Sequence, residues 1–255
     1  MFWKNLTSPQ IRALPRETIV VLPVAAVEQH GPHLPTGTDT FIAEGIVAAL
    51  DQILQGRLLI LPTQAVGCSE HHMAFPGTLT LTHETFQTVV LELLSSVARQ
   101  GFRRFVILNS HGGNQAVGGV IAEKAALTWP ETEIAFLSWW KIASDPLKKM
   151  VEGKFPSVGH ACEFETSLMQ VFHPKLVNMR LARADGLPST TKSLRVDLFT
   201  GGAVIISKPF HHFTKSGVYG RPTLANATKG KAILKATVTA LKSFIEDHWL
   251  HSHSK

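Results

Sequence analysis

The segment Thr18-Ile-Val-Val-Leu-Pro-Val24 is a continuous run of apolar, mostly β-branched residues. A strand with one solvated face alternates apolar and polar residues, and this run shows no such alternation. It therefore predicts a strand that is buried on both faces, as in a parallel sheet with helices on either side.

Outward from this strand, strand-like and helix-like segments alternate along the chain. Further buried strands are predicted at residues 58–61, 105–108 and 134–137. Amphipathic helices are predicted at residues 38–54, 82–99, 115–128 and 227–247. Such alternation is typical of βαβ units. The pattern predicts an α/β fold, a three-layer α/β/α sandwich around a largely parallel sheet.

The chain shows no internal repeat and no Gly/Ser-rich linker, so residues 1–255 are expected to form a single domain. Residues 192–216 are less regular than the remainder and are expected to hold added strands or a flap.

Composition excludes several classes of protein. The 25 Lys and Arg residues exceed the 19 Asp and Glu residues, but they are scattered, so no nucleic-acid partner is expected. The apolar runs are shorter than the roughly 18 residues that span a bilayer, so no membrane association is expected. The first residues lack the apolar core of a signal peptide, and two distant cysteines make no disulfide framework. We therefore expect a reduced, cytoplasmic protein.

Polar residues with metal-binding chemistry follow the first predicted strand. Glu28 and His30 are two residues apart, so in extended backbone they project to the same side. Gly31, Pro32, Pro35 and Gly37 turn the chain sharply and could return Asp39, which with Thr38 can also cap the next helix, to the same point. Two carboxylates and an imidazole are a plausible ligand set for a divalent ion.

Two further clusters fall near predicted strand ends, where ligands bind in open α/β sheets. Asn109-Ser-His-Gly-Gly-Asn114 places His111 between small residues that leave room for a ligand. His160-Ala-Cys-Glu-Phe-Glu-Thr-Ser167 enters an apolar run of helical character. If the helix includes His160, then Glu163 lies on the same face and Glu165 points elsewhere. The three clusters together predict a shared metal site.

The sequence also resembles a known family, that of the creatininases (creatinine amidohydrolases). The resemblance is carried by Leu22-Pro-Val-Ala-Ala-Val-Glu-Gln-His-Gly-Pro-His-Leu-Pro-Thr-Gly-Thr-Asp39, Ser69-Glu-His-His-Met-Ala-Phe-Pro-Gly-Thr78, Asn109-Ser-His-Gly-Gly-Asn114, Glu163-Phe-Glu-Thr-Ser167 and Gly217-Val-Tyr-Gly-Arg-Pro222. It implies an α/β/α sandwich, a hydrolytic site with two divalent metal ions (zinc, manganese or iron) and a homohexamer.

The resemblance also implies roles for individual residues. Glu28, His30, Asp39 and His111 would be metal ligands, with Asp39 shared by the two ions, and His160 would shuttle protons. Creatininase proper has a ligand glutamate two residues after the histidine of its Asn-x-His motif, where this chain has Gly113. Helical spacing favours Glu163 as the replacement ligand, with a catalytic role as well, and Glu165 is the alternative.

The resulting functional hypothesis is a metal-dependent amidohydrolase that cleaves the C–N bond of a small cyclic amide or a formamide. Gly113 makes creatinine itself a doubtful substrate. Trp139, Trp140 and His71 are candidates for substrate binding, although the tryptophans could equally pack a subunit contact. The alternatives are a metallopeptidase that trims a short peptide and a non-catalytic, flavodoxin-like ligand-binding module.

Overall fold

The computed structural model describes residues 1–152, 158–186, 198–199 and 204–250. Its centre is a parallel four-stranded sheet with the order β2-β1-β3-β4. The strands are β1 (Ile19–Val24), β2 (Leu58–Ile60), β3 (Arg104–Asn109) and β4 (Glu133–Ser138). All six residues of β1 are buried, which confirms the strand predicted from the apolar run.

Eight α-helices occur in the described part of the chain. They are α1 (Ser8–Ala13), α2 (Thr38–Ile53), α3 (His83–Ala98), α4 (Gln115–Thr128), α5 (Trp139–Ile142), α6 (Ser144–Lys148), α7 (Glu163–Phe172) and α8 (Ala227–Ile245). The four helices predicted with explicit bounds are confirmed, and each observed end lies within two residues of the predicted one. Thr82 caps α3 by accepting a hydrogen bond from the backbone N–H of Thr85.

The helices form a layer on each face of the sheet. On one face α2, α7 and α8 pack together, with Ile42, Phe164 and Ile233 in the core. On the other face α3 and α4 pack together around Phe86 and Ile121. Each of these fully buried side chains contributes about 1.5–3 kcal/mol of transfer free energy. The three-layer α/β/α architecture is confirmed.

The register of the sheet aligns the carboxyl ends of three strands. Val24 of β1 pairs with Asn109 of β3, which in turn pairs with Ser138 of β4. The segments that follow these strands therefore leave the sheet at one edge. This alignment places the residues after Val24, after Asn109 and after Ser138 close together.

Of the irregular segment 192–216, residues 198–199 and 204–216 are described, and they include a 3₁₀ turn at Phe210–His212. The remainder of the added strands or flap expected there lies outside the described residues. Within the described ranges, no helix combines the length and apolar character needed to cross a membrane.

Candidate metal centre

Four side chains that the sequence singled out meet at the carboxyl edge of the sheet. Glu28, His30, Asp39 and His111 are all at most 4% exposed. The Nε2 atom of His30 lies 3.1 Å from Asp39 Oδ1, and the Nδ1 atom of His111 lies 3.1 Å from Asp39 Oδ2. His111 Nδ1 is also 3.3 Å from Glu28 Oε1. The two oxygens of Asp39 therefore face different imidazoles.

Asp39 reaches this position because it lies in the first turn of α2. The residue at the N-cap is Gly37, so the expectation that Thr38 or Asp39 caps the helix is wrong. Thr38 instead donates its hydroxyl to the carbonyl of Pro35 at 2.7 Å. The carboxylate of Asp39 is consequently left to face the cluster, where the positive end of the helix dipole also favours a negative charge.

Backbone carbonyls orient both imidazoles. His30 Nδ1 lies 3.1 Å from the carbonyl oxygen of Glu28, and His111 Nε2 lies 3.0 Å from that of Cys68. A carbonyl oxygen only accepts hydrogen bonds, so both of these nitrogens carry the proton in the neutral rings. The opposite nitrogens, His30 Nε2 and His111 Nδ1, then present lone pairs to the carboxylates. This arrangement is typical of histidines that bind metal ions.

The backbone of Gly113 packs closely against the His111 ring. A Cβ atom at this position would lie 2.1 Å from the carbonyl oxygen of Cys68 and 2.5 Å from His111 Nε2. The backbone of Gly113 thus passes directly against the contact that orients His111. A side chain at this position would have to displace that contact, which accounts for the glycine.

The structure places Glu165, and not Glu163, beside the cluster. Glu165 Oε1 is 4.0 Å from His30 Nε2, and its Oε2 accepts a hydrogen bond from the backbone N–H of Cys162. Glu163 instead accepts a hydrogen bond from Lys229 Nζ at 2.7 Å and another from the backbone N–H of Glu152. The proposed catalytic and metal-binding roles of Glu163 therefore find no support in its position.

The expected helical spacing fails because α7 begins only at Glu163. Cys162 is the N-cap, and Ala161 has a φ of 52°, so His160 lies outside the helix. His160 exchanges two backbone hydrogen bonds with Tyr219, each 2.8 Å long. Its ring nevertheless reaches the cluster, where His160 Nδ1 lies 3.4 Å from Glu28 Oε1.

The cluster contains buried acceptor atoms that need a cation. Within the described residues, four such atoms have no hydrogen-bond partner: both carboxylate oxygens of Glu28, Asp39 Oδ2 and His30 Nε2. Buried charges are stable when they are paired or coordinate metal ions. Three sets of ligand atoms here lie within 4.8 Å of one another: Glu28 with His30 and Asp39, His30 with His160 and Glu165, and Glu28 with His71 and His111. The donor set therefore fits divalent metal ions.

The pKa values of the histidines and of Glu165 are shifted because buried charged groups lie close together in the cluster. Burial opposes protonation of His30, but the Asp39 carboxylate raises the pKa of His30 to about 9. Burial likewise opposes the charge of His111, whose pKa the Glu28 carboxylate raises well above its usual value. Burial raises the pKa of the Glu165 carboxyl to about 7. Protons thus compensate these carboxylates where no metal ion does so, and metal ions would replace them.

A cavity of about 700 Å³ opens onto the cluster. Trp140 and His71 line it, together with Phe210 and Tyr219 from the far end of the chain. Trp139 is not among the described residues that line the cavity. It is 1% exposed and packs edge-on against Trp140. Of the three residues expected to bind substrate, His71 and Trp140 are therefore in position and Trp139 supports its neighbour.

Two residues of the site were assigned no metal-binding or catalytic role from the sequence. His72 is 1% exposed, and its Nε2 lies 3.5 Å from Glu28 Oε1. Gln29 is 6% exposed and contacts both His72 and His160. The position of Gln29 between two predicted ligands was an available signal. For His72 the signal was its place in the segment Ser69–Thr78 that carries the family resemblance, whereas its contact with Gln29, 43 residues away, could not be read from local spacing.

Comparison with known proteins identifies relatives over most of the chain. The profile of the creatininase family, described as creatinine amidohydrolase, matches residues 4–245. The mycofactocin precursor peptide peptidase of Mycobacterium tuberculosis is 32% identical over 230 residues, which cover 86% of this chain and 81% of the peptidase. Creatinine amidohydrolase of Pseudomonas putida is 25% identical over 263 residues, which cover 97% of this chain and 95% of that enzyme.

Solved structures agree with these matches. A putative creatinine amidohydrolase from Bacteroides fragilis superimposes with a TM-score of 0.84 and 25% identity, covering 100% of this chain and 98% of the other. A solved structure of creatininase superimposes with a TM-score of 0.82 over 97% of each chain, at 24% identity, and so shares the fold. The match over residues 4–245 spans every element that builds the metal centre, and this chain belongs to the creatininase family.

Proposed function

We propose that the protein is a metal-dependent amidohydrolase that cleaves the C–N bond of an amide. The observation that carries this proposal is the convergence of buried ligand atoms from Glu28, His30, Asp39 and His111 beside a cavity. Hydrolases that act on carbon–nitrogen bonds occur in the same family. A non-catalytic, flavodoxin-like module would have no need for this arrangement.

The geometry supports two metal ions per chain. His30 Nε2 lies 3.1 Å from Asp39 Oδ1 and 4.0 Å from Glu165 Oε1, and His111 Nδ1 lies 3.1 Å from Asp39 Oδ2 and 3.3 Å from Glu28 Oε1. Each imidazole therefore has a second carboxylate beside it and faces its own oxygen of Asp39. Asp39 would accordingly be the shared ligand, and Glu165 would be the fifth ligand in place of Glu163.

Divalent ions held by these residues would lower the pKa of a water molecule and would polarise the carbonyl group of an amide. The chain itself supplies the proton transfer that an amine leaving group requires. His160 is in position for this role, because its Nδ1 faces Glu28 and its ring lines the cavity. Burial lowers the pKa of His160 well below its usual value, so the ring is neutral at pH 7.

We propose a small cyclic amide or a formamide as the substrate. Trp140 and His71 both line the cavity, where Trp140 would lie against a planar group of the substrate and His71 would contact the same ligand. The confinement of Gly113 separates this site from that of creatininase proper, since no carboxylate can be added there without displacing the His111 contact.

A second candidate is a metallopeptidase that trims a short peptide. The cavity of about 700 Å³ favours it, because pockets of about 300–1,000 Å³ hold drug-sized ligands and a small lactam would fill only part of this space. The similarity to the mycofactocin precursor peptide peptidase points in the same direction. The ions and the proton transfer would be the same in both cases.

The finer features expected from the resemblance remain predictions. We propose zinc, manganese or iron as the metal, because imidazole and carboxylate ligands suit all three. We also propose a single domain, a homohexamer and a cytoplasmic location. Mass determination of the purified protein in solution tests the oligomeric state.

The decisive experiment is an activity screen of protein loaded with zinc, manganese or iron against creatinine, formamides, lactams and short peptides. We expect hydrolysis of an amide in this panel, loss of activity with a chelator and recovery when the metal is returned. His160→Gln should lower kcat by about 10²–10⁴-fold and leave the metal content unchanged. The matched control is His173→Gln, at an exposed ring after α7, which should be as active as the unaltered protein.

Two outcomes would contradict the proposal. The first is purified protein that binds no stoichiometric divalent metal in any of the three loading conditions. The second is activity in His160→Gln equal to that of the control. The ratio of kcat/KM for peptides to that for lactams and formamides separates the two candidate substrate classes.

A further inference from the structure

The Gln29 side chain lies between two histidines of the site in an amide orientation that the backbone dictates. Its Oε1 accepts a hydrogen bond from the backbone N–H of Gly31 at 2.9 Å, and its Nε2 donates to the carbonyl of Gly217 at 3.0 Å. Gly217 has a φ of +83°, and a Cβ atom there would lie 1.8 Å from Gln29 Oε1. In the reverse orientation the Gln29 amino group would face the N–H of Gly31, and its oxygen would face the carbonyl oxygen of Gly217. The side-chain amide therefore has one arrangement.

This orientation determines where the proton of His72 resides. Gln29 Nε2 is 2.8 Å from His72 Nδ1, and an amide nitrogen only donates. His72 Nδ1 therefore accepts, and in the neutral ring the proton lies on Nε2. That N–H faces Glu28 Oε1, 3.5 Å away.

The backbone carbonyl of Gln29 determines the opposite state for His160. His160 Nε2 lies 2.6 Å from this oxygen, which only accepts, so the proton of His160 lies on Nε2. The Gln29 side-chain nitrogen is 3.1 Å from the same ring nitrogen, but its two hydrogens are directed to His72 and Gly217. His160 Nδ1 is thus a bare acceptor, 3.4 Å from Glu28 Oε1.

We propose that Gln29 is a positioning residue that fixes opposite tautomers on His72 and His160, so that one carboxylate oxygen of Glu28 faces an N–H on one side and a bare nitrogen on the other. The expected effect on turnover rests on the proposed amidohydrolase function, whereas the assignment of the tautomers is independent of it.

Because their tautomers differ, His72 and His160 have different roles although both rings lie beside Glu28. Glu28, His72 and His160 place ligand atoms within 4.8 Å of one another, which by distance alone could be a further metal site. Because His72 Nε2 carries the proton and His72 Nδ1 accepts a hydrogen bond from Gln29, neither nitrogen of this neutral ring offers a lone pair to a metal ion. The bare Nδ1 of His160 is the nitrogen that can take up a proton during the reaction.

The test replaces the donor with an acceptor of the same shape. In Gln29→Glu the carboxylate can only accept, so the proton of His72 should move to Nδ1. ¹⁵N NMR of the zinc-loaded, full-length protein with labelled histidine distinguishes protonated from bare ring nitrogens, and the His72 signals are assigned by their loss in His72→Gln. We expect a protonated Nε2 in the unaltered protein and a protonated Nδ1 in Gln29→Glu. Replacing a residue that orients the side chains of a metal site typically lowers metal affinity or activity by about 10–100-fold. We expect a fall in kcat of that size.

Gln64→Glu is the matched control. Gln64 Nε2 also donates to a backbone carbonyl, that of Val66 at 2.9 Å, but it does not belong to the described lining of the cavity. This variant should retain both the His72 signals and kcat.

A second pair of variants decides the matter if Gln29→Glu does not fold. His72→Gln keeps an N–H donor and should retain kcat within about 10-fold, whereas His72→Leu should lose the full 10–100-fold. Both should keep the metal content of the unaltered protein. The proposal is overturned if His72 Nε2 is bare in the unaltered protein, if Gln29→Glu leaves the ring signals unchanged, or if His72→Gln and His72→Leu are equally impaired. A protein with the expected tautomers but no amidohydrolase activity would overturn the proposed function alone.

Discussion

Two glutamates of α7, Glu163 and Glu165, provide a sharp test because the same substitution should have opposite consequences at each. Glu165 lies beside His30 at the metal cluster, whereas Glu163 pairs with Lys229. Replacement by glutamine removes the charge and preserves the size of the side chain. Glu165→Gln should therefore reduce metal binding, and Glu163→Gln should reduce stability.

The size of the stability effect follows from the environment of the Glu163–Lys229 pair. The two side chains are 5% and 6% exposed, and their charged atoms are 2.7 Å apart. A hydrogen bond to a charged group is worth about 1.5–3 kcal/mol. Glutamine keeps one acceptor, and Glu152 remains 2.9 Å from Lys229 Nζ, so we expect a loss of about 2 kcal/mol. For a chain of this length that corresponds to a fall in Tm of about 4–8 °C.

Metal content by plasma mass spectrometry and Tm by calorimetry measure the two effects independently. Glu163→Gln should keep the metal content of the unaltered protein and melt about 4–8 °C lower when both are compared metal-free. Glu165→Gln should lose at least half of the bound metal, with a metal-free Tm equal to or above that of the unaltered protein, because a buried carboxyl of raised pKa is removed. The assignment of Glu165 as a ligand is refuted if Glu163→Gln is the variant that loses metal.

Three further predictions concern the metal centre. Asp39→Ala should lower the content of both ions, because its two oxygens face different imidazoles, and a content that remains at two per chain would contradict the shared role. Gly113→Ala should lower metal affinity and Tm, whereas Gly112→Ala, where the nearest atom is 3.8 Å away, should not; equal effects would contradict the confinement of Gly113. Metal affinity should rise with pH between about 6 and 9, because the raised pKa values of His30 (about 9) and Glu165 (about 7) mean that protons must leave before the metal binds. Calorimetric titration in buffers of different ionisation enthalpy should show release of more than one proton per chain at pH 7, and no release would contradict these shifts.

Local patterns in the sequence determined the fold. The apolar run that becomes β1 and the apolar stripes of α2 and α3 report burial directly, because backbone geometry repeats along a strand or a helix. The same holds for the first part of the site. Glu28 and His30 belong to one loop at the end of one strand, and strand ends in a parallel sheet lie at a common edge.

The tertiary structure decided which glutamate of α7 joins the cluster. Spacing favoured Glu163 on the assumption that the helix includes His160, but the positive φ of Ala161 and the backbone pairing of His160 with Tyr219 start the helix later. The partner of Glu163 is Lys229, 66 residues further along the chain. Similarly, Gln29 meets His72 and His160 across 43 and 131 residues. Contacts of this kind depend on how separate elements pack, and local periodicity carries no information about them.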